Sequence, residues 1–413
     1  MTINWREQFA QRVGRITGSQ IRSFFQLTER PEVISFAGGF PGSSFFPSQD
    51  LSRVLAEMME EEGRAALQYG PTEGNYELRA YLAYKMRREG ARCEAEDVII
   101  TNGSQQGLDL LSRILVNPGE PVLVEEPAYI GGMGALRSCG GVPVGVPMDA
   151  EGVDPEEMKN KLIALEREGK KPKLFYTVPN FQNPTGYTTS LERRRAILEL
   201  ASHYNFLIIE DNPYGALSYE GPVPPSYKSL DREGRVIYLG SFSKIFVPGI
   251  RIGWMAAPAP LLEKVVLLKQ TADLCSNSLG QRLAYRLSQE GYLDEHVRRL
   301  VSLYREKRDL MLYCMERFFP EEIGFTRPKG GFFIWVTFPG CYPEAKELLN
   351  KALEQRVAFV HGEGFFYNGG GSHCARFSFS QAGKEDIYRG IQRLGDLFAR
   401  LTGERVPAKA AQG

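Results

Sequence analysis

Short apolar runs alternate with longer amphipathic stretches between about residue 50 and residue 260. The apolar runs lie at 98–101, 122–124, 174–178, 206–209 and 236–239. They are apolar on both faces and bounded by turn residues, as are strands of a parallel sheet that helices cover on both sides. The stretches with helical spacing lie at 51–62, 75–89, 105–116, 154–168 and 190–204. This alternation predicts an α/β fold with a mostly parallel central sheet between helices.

The pattern changes after about residue 260. Helical spacing dominates to residue 320, and a strand at 330–336, a further helix and a strand at 376–380 follow. These elements predict a smaller α+β domain. We therefore predict an N-terminal arm and part of the small domain at 1–45, a large ligand-binding domain at 46–295, and a C-terminal small domain at 296–413.

Composition argues against several classes of protein. Lys plus Arg and Asp plus Glu both total 50, so the formal net charge is zero, which disfavours a general nucleic-acid-binding role. The four histidines and six cysteines show no spacing typical of metal ligands, so no metal site is predicted. The N-terminus has no apolar signal region, and no run of 18 apolar residues occurs. We therefore expect a cytoplasmic protein that does not span a membrane.

Polar, turn-forming residues follow each of the five apolar runs. They occupy 102–105, 125–129, 179–186, 210–214 and 240–244. Because ligands of open α/β sheets bind beyond the carboxyl ends of the strands, these turns predict a site for a small charged ligand.

The first of these turns has the features of an anion site. Gly103 and Ser104 open a helix, whose free N–H groups and dipole favour negative charge. Ser241, Ser243 and Arg251 add hydroxyl groups and a guanidinium, which together suit a phosphate. No P-loop and no GxGxxG after the first strand occur, so a nucleotide is not indicated.

Lys244 directly follows the last apolar run, and serines flank it. A lysine in this position can form a Schiff base with an aldehyde cofactor. Asp211, at the end of a neighbouring run, can hold the ring nitrogen of such a cofactor protonated. Either residue alone is more typical of a solvated lysine or a loop cap, but the two together favour pyridoxal 5'-phosphate.

Nine segments of the chain are similar to one family in order and in spacing. They lie at 35–39, 67–70, 101–106, 125–129, 180–186, 210–214, 241–244, 248–254 and 376–379. The chain resembles the pyridoxal-phosphate-dependent aminotransferases of fold type I, class I/II. The resemblance implies a homodimer in which the large domain holds the cofactor.

The resemblance also implies a role for each matching residue. Lys244 carries the cofactor and shuttles a proton, Asp211 pairs with the ring nitrogen, and Tyr129 stacks on the ring. Asn183 and Tyr214 hydrogen bond the ring's phenolic oxygen. The cofactor's phosphate is held by Gly103, Ser104, Gln105, Ser241, Ser243, Arg251 and, from the other subunit, Tyr69. Arg376 receives the substrate carboxylate, with Asn183 and Gly39 beside it.

Within the family, the chain is most similar to the 2-aminoadipate, kynurenine and aromatic aminotransferase branch. The Pro-Asn-Phe-Gln-Asn-Pro-Thr-Gly loop and an N-terminal helix with Arg22 carry this likeness, and Arg22 would meet a distal substrate carboxylate. Phe40 stands where relatives often have a smaller aliphatic residue, so the pocket shape is not implied.

The predicted reaction is ping-pong transfer of an amino group from an L-amino acid to a 2-oxo acid such as 2-oxoglutarate. The donor stays open among 2-aminoadipate, aromatic and aliphatic amino acids. One alternative is a pyridoxal-phosphate-dependent cysteine-conjugate β-lyase, since both reactions begin with loss of the Cα proton. A remote alternative is an aminotransferase-like regulatory protein, but the family pattern begins within the first forty residues and leaves no room before it for a DNA-binding domain.

Overall fold

An eight-stranded sheet forms the centre of the protein in the computed structural model, which describes residues 3–15, 32–289 and 291–403. The strand order is β2-β9-β8-β7-β6-β3-β4-β5. Its strands are β2 (Val98–Thr101), β3 (Pro121–Glu126), β4 (Val142–Asp149), β5 (Gly152–Val153), β6 (Leu174–Thr177), β7 (Leu207–Asp211), β8 (Val236–Ser241) and β9 (Gly253–Ala256).

The middle of this sheet is parallel. Strands β8, β7, β6, β3 and β4 run in the same direction, whereas β9 is antiparallel to both β2 and β8, and β5 is antiparallel to β4. The carboxyl ends of the parallel strands therefore meet along one edge.

Helices cover the sheet on both faces, and further helices pack on the smaller domain. They are α1 (Trp5–Gln8), α2 (Ser48–Ala66), α3 (Tyr76–Arg88), α4 (Gly103–Leu115), α5 (Ile130–Ser138), α6 (Pro155–Arg167), α7 (Leu191–Tyr204), α8 (Tyr227–Leu230), α9 (Ala259–Ala272), α10 (Ser278–Gln289), α11 (Tyr292–Phe318), α12 (Ala345–Glu354) and α13 (Lys384–Thr402). Several helix starts follow directly from the sequence. Asp154 caps α6 with Pro155 as its first residue, and Ser190 caps α7.

A second, four-stranded antiparallel sheet has the order β10-β11-β14-β13. Its strands are β10 (Gly324–Phe325), β11 (Phe333–Thr337), β13 (Val360–His361) and β14 (Cys374–Ser378). Nearby, β1 (Ile34–Ser35) pairs in parallel with β12 (Val357–Ala358), so residues from near the start of the chain join the C-terminal part. One apolar core cluster contains side chains of both sheets, such as Ile209 and Phe377.

The predicted α/β class is confirmed, and so are the five strands and five helices of the first part, within a few residues at each end. The sequence missed β4, β5 and β9. Strand β4 contains Pro143, Gly145 and Pro147, which are rare in strands, and it lies near the sheet edge where proline is tolerated.

The division into domains stays a prediction. The proposed boundary at residue 295 falls inside α11, a continuous helix of 27 residues. Among the described helices, none combines the length and the apolar composition that a membrane span requires.

Candidate active site

A cavity of about 300 Å³ lies at the carboxyl ends of the parallel strands. Residues at or just after the ends of five strands of the large sheet contribute to its walls, and Arg376 on β14 closes it from the small sheet. Its volume is at the lower end of the range of about 300–1,000 Å³ that is usual for small-molecule sites. The turns after these strands therefore meet at one site, as the sequence pattern predicted.

Lys244 lies in this cavity just beyond the end of β8. Its Nζ donates a hydrogen bond to the carbonyl oxygen of Gly39 at 3.1 Å. Burial, together with the nearby cations Arg251 and Arg376, lowers the pKa of Lys244 to about 8. A lysine with this pKa is partly neutral near pH 8, and the neutral amine is the form that attacks a carbonyl carbon.

Asp211 ends β7 with its side chain almost fully buried beside the cavity. The Tyr176 hydroxyl donates to its Oδ2 at 3.0 Å, but its Oδ1 is buried without a hydrogen-bond partner. Burial raises the pKa of Asp211 to about 7, although Tyr176, Ser104 and Lys244 oppose that rise. An unpartnered buried oxygen of this kind suits a cationic N–H donor from a ligand.

The groups predicted to bind a phosphate lie around the start of α4. Gly103 has φ +70°, and a Cβ there would lie 2.7 Å from Nη2 of Arg251. Arg251 donates to the carbonyl oxygen of Asn102 at 3.2 Å, and its Nη1 lies 3.4 Å from the Ser243 hydroxyl. The guanidinium, the hydroxyl groups of Ser104, Ser241 and Ser243, and the first N–H groups of α4 line one end of the cavity.

Arg376 is buried at the opposite wall. Its Nη1 donates to Oδ1 of Asn183 at 2.9 Å and its Nη2 to the carbonyl oxygen of Ala37 at 2.7 Å, while Nε has no partner. The guanidinium lies over the rings of Phe333 and Phe365, at 4.5 and 5.3 Å. Burial lowers the pKa of Arg376 to about 10, so an anion placed here would gain a strong interaction.

Aromatic side chains complete the walls. Tyr129 precedes α5 and lies with its hydroxyl 3.5 Å from Oε1 of Gln105, whose Nε2 donates to the carbonyl oxygen of Gly131. Tyr214 is buried and hydrogen bonds Asn183. Burial raises the pKa of Tyr129 to about 12 and that of Tyr214 well above its ordinary value, so both present a protonated hydroxyl at neutral pH.

The structure therefore brings most of the predicted site residues to one cavity. They are Gly39, Gly103, Ser104, Gln105, Tyr129, Asn183, Asp211, Tyr214, Ser241, Ser243, Lys244, Arg251 and Arg376. Tyr69 does not line it: this side chain is 77% exposed in the single chain. Arg22 lies outside the described residues.

Two functional neighbours were missed by the sequence analysis. Tyr176 looks like a core residue of β6, but it donates to Asp211. Glu125 is a buried carboxyl that accepts hydrogen bonds from Thr177, Val178 and Gln182, and so holds the turn that carries Asn183. The side-chain positions that make both residues important depend on which strands are neighbours, which the sequence pattern does not specify.

The chemistry of this donor and acceptor set fits pyridoxal phosphate. Lys244 offers an amine for its aldehyde, and the unpaired Oδ1 of Asp211 offers an acceptor for a protonated ring nitrogen. The start of α4 with Arg251 offers a phosphate site. Arg376 is left for a carboxylate of the substrate.

Comparison with known proteins agrees with this interpretation. The family model "Aminotransferase class I and II" matches residues 40–394. The chain is 42% identical to aromatic-amino-acid aminotransferase 1 of Thermococcus litoralis over 399 residues, covering 96% of this chain and 95% of the relative. It is 40% identical to 2-aminoadipate transaminase of Thermus thermophilus, covering 97% and 98% of the two chains. The crystal structure of Pyrococcus horikoshii kynurenine aminotransferase, in complex with PMP, superposes with a TM-score of 0.92 at 40% identity, over 96% of this chain and 98% of that one.

Proposed function

Because the chain belongs to the class I and II aminotransferase family, we propose that the cavity around Lys244 is the active site of its transamination reaction. The protein is a pyridoxal-phosphate-dependent transaminase that moves amino groups between amino acids and 2-oxo acids. The observation that most supports the position of the site is the buried, unpartnered Oδ1 of Asp211 in the same cavity as the Lys244 amine.

The cofactor, when bound, supplies the electron sink that makes the substrate's Cα–H bond acidic. We propose that Nζ of Lys244 removes this proton as the general base. The pKa of about 8 allows the amine to accept a proton and release it again near neutral pH. Asp211 stabilises positive charge on the ring nitrogen, because its Oδ1 is already oriented and needs no reorganisation.

Arg376 orients the substrate in this proposal. Its unused Nε and the remaining hydrogens of its guanidinium can bind the α-carboxylate in the bidentate geometry that arginine favours. Asn183 and the Ala37 carbonyl fix the guanidinium plane beforehand, so that little conformational entropy is lost on binding. Gly39 contributes the carbonyl that holds the free Lys244 amine.

Part of the cavity wall is apolar. Phe40, Ile130 and Phe365 line the cavity together with Tyr129. We propose that aromatic and large aliphatic amino acids are good amino donors, with 2-oxoglutarate as an acceptor. A dicarboxylic donor such as 2-aminoadipate needs a further cation, which the sequence suggests is Arg22.

We propose that two copies of the chain form a homodimer, with Tyr69 entering the phosphate site of the partner subunit. Tyr69 and its neighbour Leu67 are exposed large side chains in the single chain, at 77% and 67%. Such exposure of neighbouring apolar side chains is typical of an interface. The cytoplasmic location stays a prediction of the sequence.

Replacement of Lys244 tests the proposed site directly. Lys244→Ala should lose the visible absorption band of the lysine-bound cofactor and lower turnover by at least about a thousandfold, because the general base is gone. Lys264→Ala removes an exposed lysine of α9 and serves as the matched control, with both properties retained. Full transamination activity in Lys244→Ala would contradict the assignment of Lys244 as the general base.

A half-reaction screen tests the donor proposal. Phenylalanine, kynurenine, leucine, 2-aminoadipate and glutamate are each added to the holoenzyme, and loss of the visible band is followed. We expect the aromatic donors to react fastest, and Arg22→Ala to slow only the dicarboxylic ones. The β-lyase alternative is measured in the same assay with a cysteine conjugate, where pyruvate release without amino transfer to 2-oxoglutarate would favour it.

A further inference from the structure

Asn102 occupies the N-cap position of α4, directly before the N–H groups of the proposed phosphate site, but it does not cap the helix. Asparagine is among the strongest N-cap residues because its side-chain oxygen accepts from the first free N–H groups. In this structure no such bond is made, which keeps those N–H groups available for a ligand.

Asp273 directs the Asn102 side chain away from the helix end. Nδ2 of Asn102 donates to Oδ2 of Asp273 at 2.6 Å. The same oxygen accepts from Nε2 of Gln106 at 2.7 Å, and Oε1 of Gln106 accepts from the backbone N–H of Asn102 at 2.8 Å. Asp273 therefore fixes both the side chain and the backbone of the residue that precedes the phosphate site.

A buried lysine fixes Asp273 in turn. Nζ of Lys269, one turn earlier on α9, donates to both carboxylate oxygens of Asp273 at 2.7 and 2.9 Å, and Lys269 is fully buried. A fully buried lysine is rare unless paired, because its desolvation is costly. This ion pair lies behind the turn and outside the residues that line the cavity.

We propose that Asp273 is a positioning residue for the cofactor's phosphate: it holds the Asn102 amide away from the start of α4 and so prevents the helix from capping itself. The inference rests on the phosphate site given under the proposed function. Arg251 acts from the other side, because it binds the carbonyl oxygen of the same Asn102. Neither Asp273 nor Lys269 needs to touch the cofactor.

The test measures binding of two ligands to the apo-protein by absorbance titration: pyridoxal phosphate and pyridoxal, which lacks the phosphate. In Asp273→Asn, one amide oxygen remains for the donors on Asn102, Gln106 and Lys269, and the new NH2 group faces a donor in either orientation, so the hold on the Asn102 side chain is weakened. The dissociation constant for pyridoxal phosphate should rise about five- to tenfold, the cost of displacing a side-chain cap, while that for pyridoxal changes less than about twofold. Asp109→Asn, on the exposed face of α4, is the control and should change neither.

A second pair of variants keeps Asp273 intact. Asn102→Ser and Asn102→Ala both lose the contact with Asp273, but only serine can cap α4. We expect Asn102→Ser to bind pyridoxal phosphate about fivefold more weakly than Asn102→Ala, with equal binding of pyridoxal. Adding Asn102→Ala to Asp273→Asn should restore most of the lost affinity.

Three results would overturn the proposal. They are equal weakening of both ligands in Asp273→Asn, unchanged binding of pyridoxal phosphate in that variant, and equal affinities of the serine and alanine variants at position 102. If the unmodified protein itself bound no pyridoxal phosphate, the proposed function would fail instead, and the two failures are thereby distinguished.

Discussion

Two consecutive carboxylates at the end of β7 lie in different surroundings on the two faces of the sheet. Asp211 faces the cavity that also contains Arg376, whereas Glu210 points to the opposite face, near Arg194. All four side chains are buried. The two pairs therefore have the same charges and similar burial, but they differ in how completely their polar atoms are bonded.

The pair on the far face has its hydrogen bonds complete. Glu210 accepts from the backbone N–H groups of Tyr227 and Lys228. Arg194 uses Nε and both terminal nitrogens on four backbone carbonyls and on Oδ1 of Asn180, at 2.6–3.3 Å. These bonds hold the loops around residues 179 and 224 against α7.

The pair in the cavity, Asp211 and Arg376, lacks part of its hydrogen bonds. Oδ1 of Asp211 and Nε of Arg376 are buried with no partner. Leaving such an atom unpaired costs about 1–3 kcal/mol, so it lowers the stability of the free protein. The difference indicates that the far face stabilises the fold, whereas the cavity retains unmet hydrogen-bonding capacity for the cofactor and the substrate.

The largest expected effect is at Asp211. Asp211→Asn should lower kcat/KM about 100- to 1,000-fold, because the ring nitrogen loses its counter-charge. The free energy of unfolding of the apo-protein should change by less than about 1 kcal/mol, since only one hydrogen bond to Asp211 is altered. Steady-state kinetics and urea unfolding measure the two quantities, and a variant that is unstable yet fully active would contradict the comparison.

Replacement of the two arginines should have opposite effects on activity and stability. Arg376→Met should lower kcat/KM about 30- to 1,000-fold through KM, because the substrate carboxylate loses its partner, with the affinity for the cofactor retained. Arg194→Met should instead lower the stability by about 3–5 kcal/mol, because it leaves Glu210 buried without its cation. A loss of stability without a kinetic effect in Arg376→Met, or a kinetic effect without a loss of stability in Arg194→Met, would contradict this division of roles.

A smaller effect is expected for Glu210→Gln. The amide retains one oxygen for the two backbone N–H groups, so the free energy of unfolding should fall by only about 1–3 kcal/mol. Kinetic constants measured below the unfolding temperature should stay within about twofold of the unmodified enzyme. This variant is the matched control for Asp211→Asn, one residue away on the same strand.

The smallest effect is a shift in pH dependence. In the apo-protein the pKa of Lys244 is about 8, lowered from 10.5 by burial and by Arg251 and Arg376. The rate of cofactor attachment should therefore rise with pH through about 8, as the amine loses its proton. Arg376→Met removes a neighbouring cation, so the midpoint should move upward by up to about one unit. Stopped-flow absorbance measures it, and a downward shift would contradict the electrostatic explanation.

The turns that carry the predicted site residues were easier to place from the sequence than the edges of the sheet. Each turn that supplies Ser104, Asp211 or Lys244 follows an apolar run, and the topology of parallel strands brings such turns together. Strand β9 was missed because Gly253–Ala256 is short and has no β-branched residue. Its glycine is nevertheless required, since a Cβ at Gly253 would lie 2.6 Å from the carbonyl carbon of Gly103.

The sequence could not predict which buried polar atoms have hydrogen-bond partners and which have none. Apart from the family resemblance that singled out Asp211 and Arg376, nothing in the chain separates Glu210 from Asp211 or Arg194 from Arg376. Which of them is fully bonded depends on loops more than ten residues away, such as 179–180 and 224–225 for Arg194. No sequence pattern indicated a role for Asp273, because its proposed role depends on its contact with Asn102, 171 positions away in the chain.

Reduction of the holoenzyme with borohydride, followed by peptide mass mapping, identifies the lysine that carries the cofactor. Reduction makes the bond between a lysine and the cofactor permanent, so the modified residue can be identified. Three lysines of the described residues are distinguished in this way: Lys244 in the cavity, and two buried lysines, Lys269 behind the cavity and Lys307, whose pKa burial also lowers to about 8. We expect the cofactor on Lys244 alone, and modification of Lys269 or Lys307 with Lys244 free would contradict the assignment of the active site.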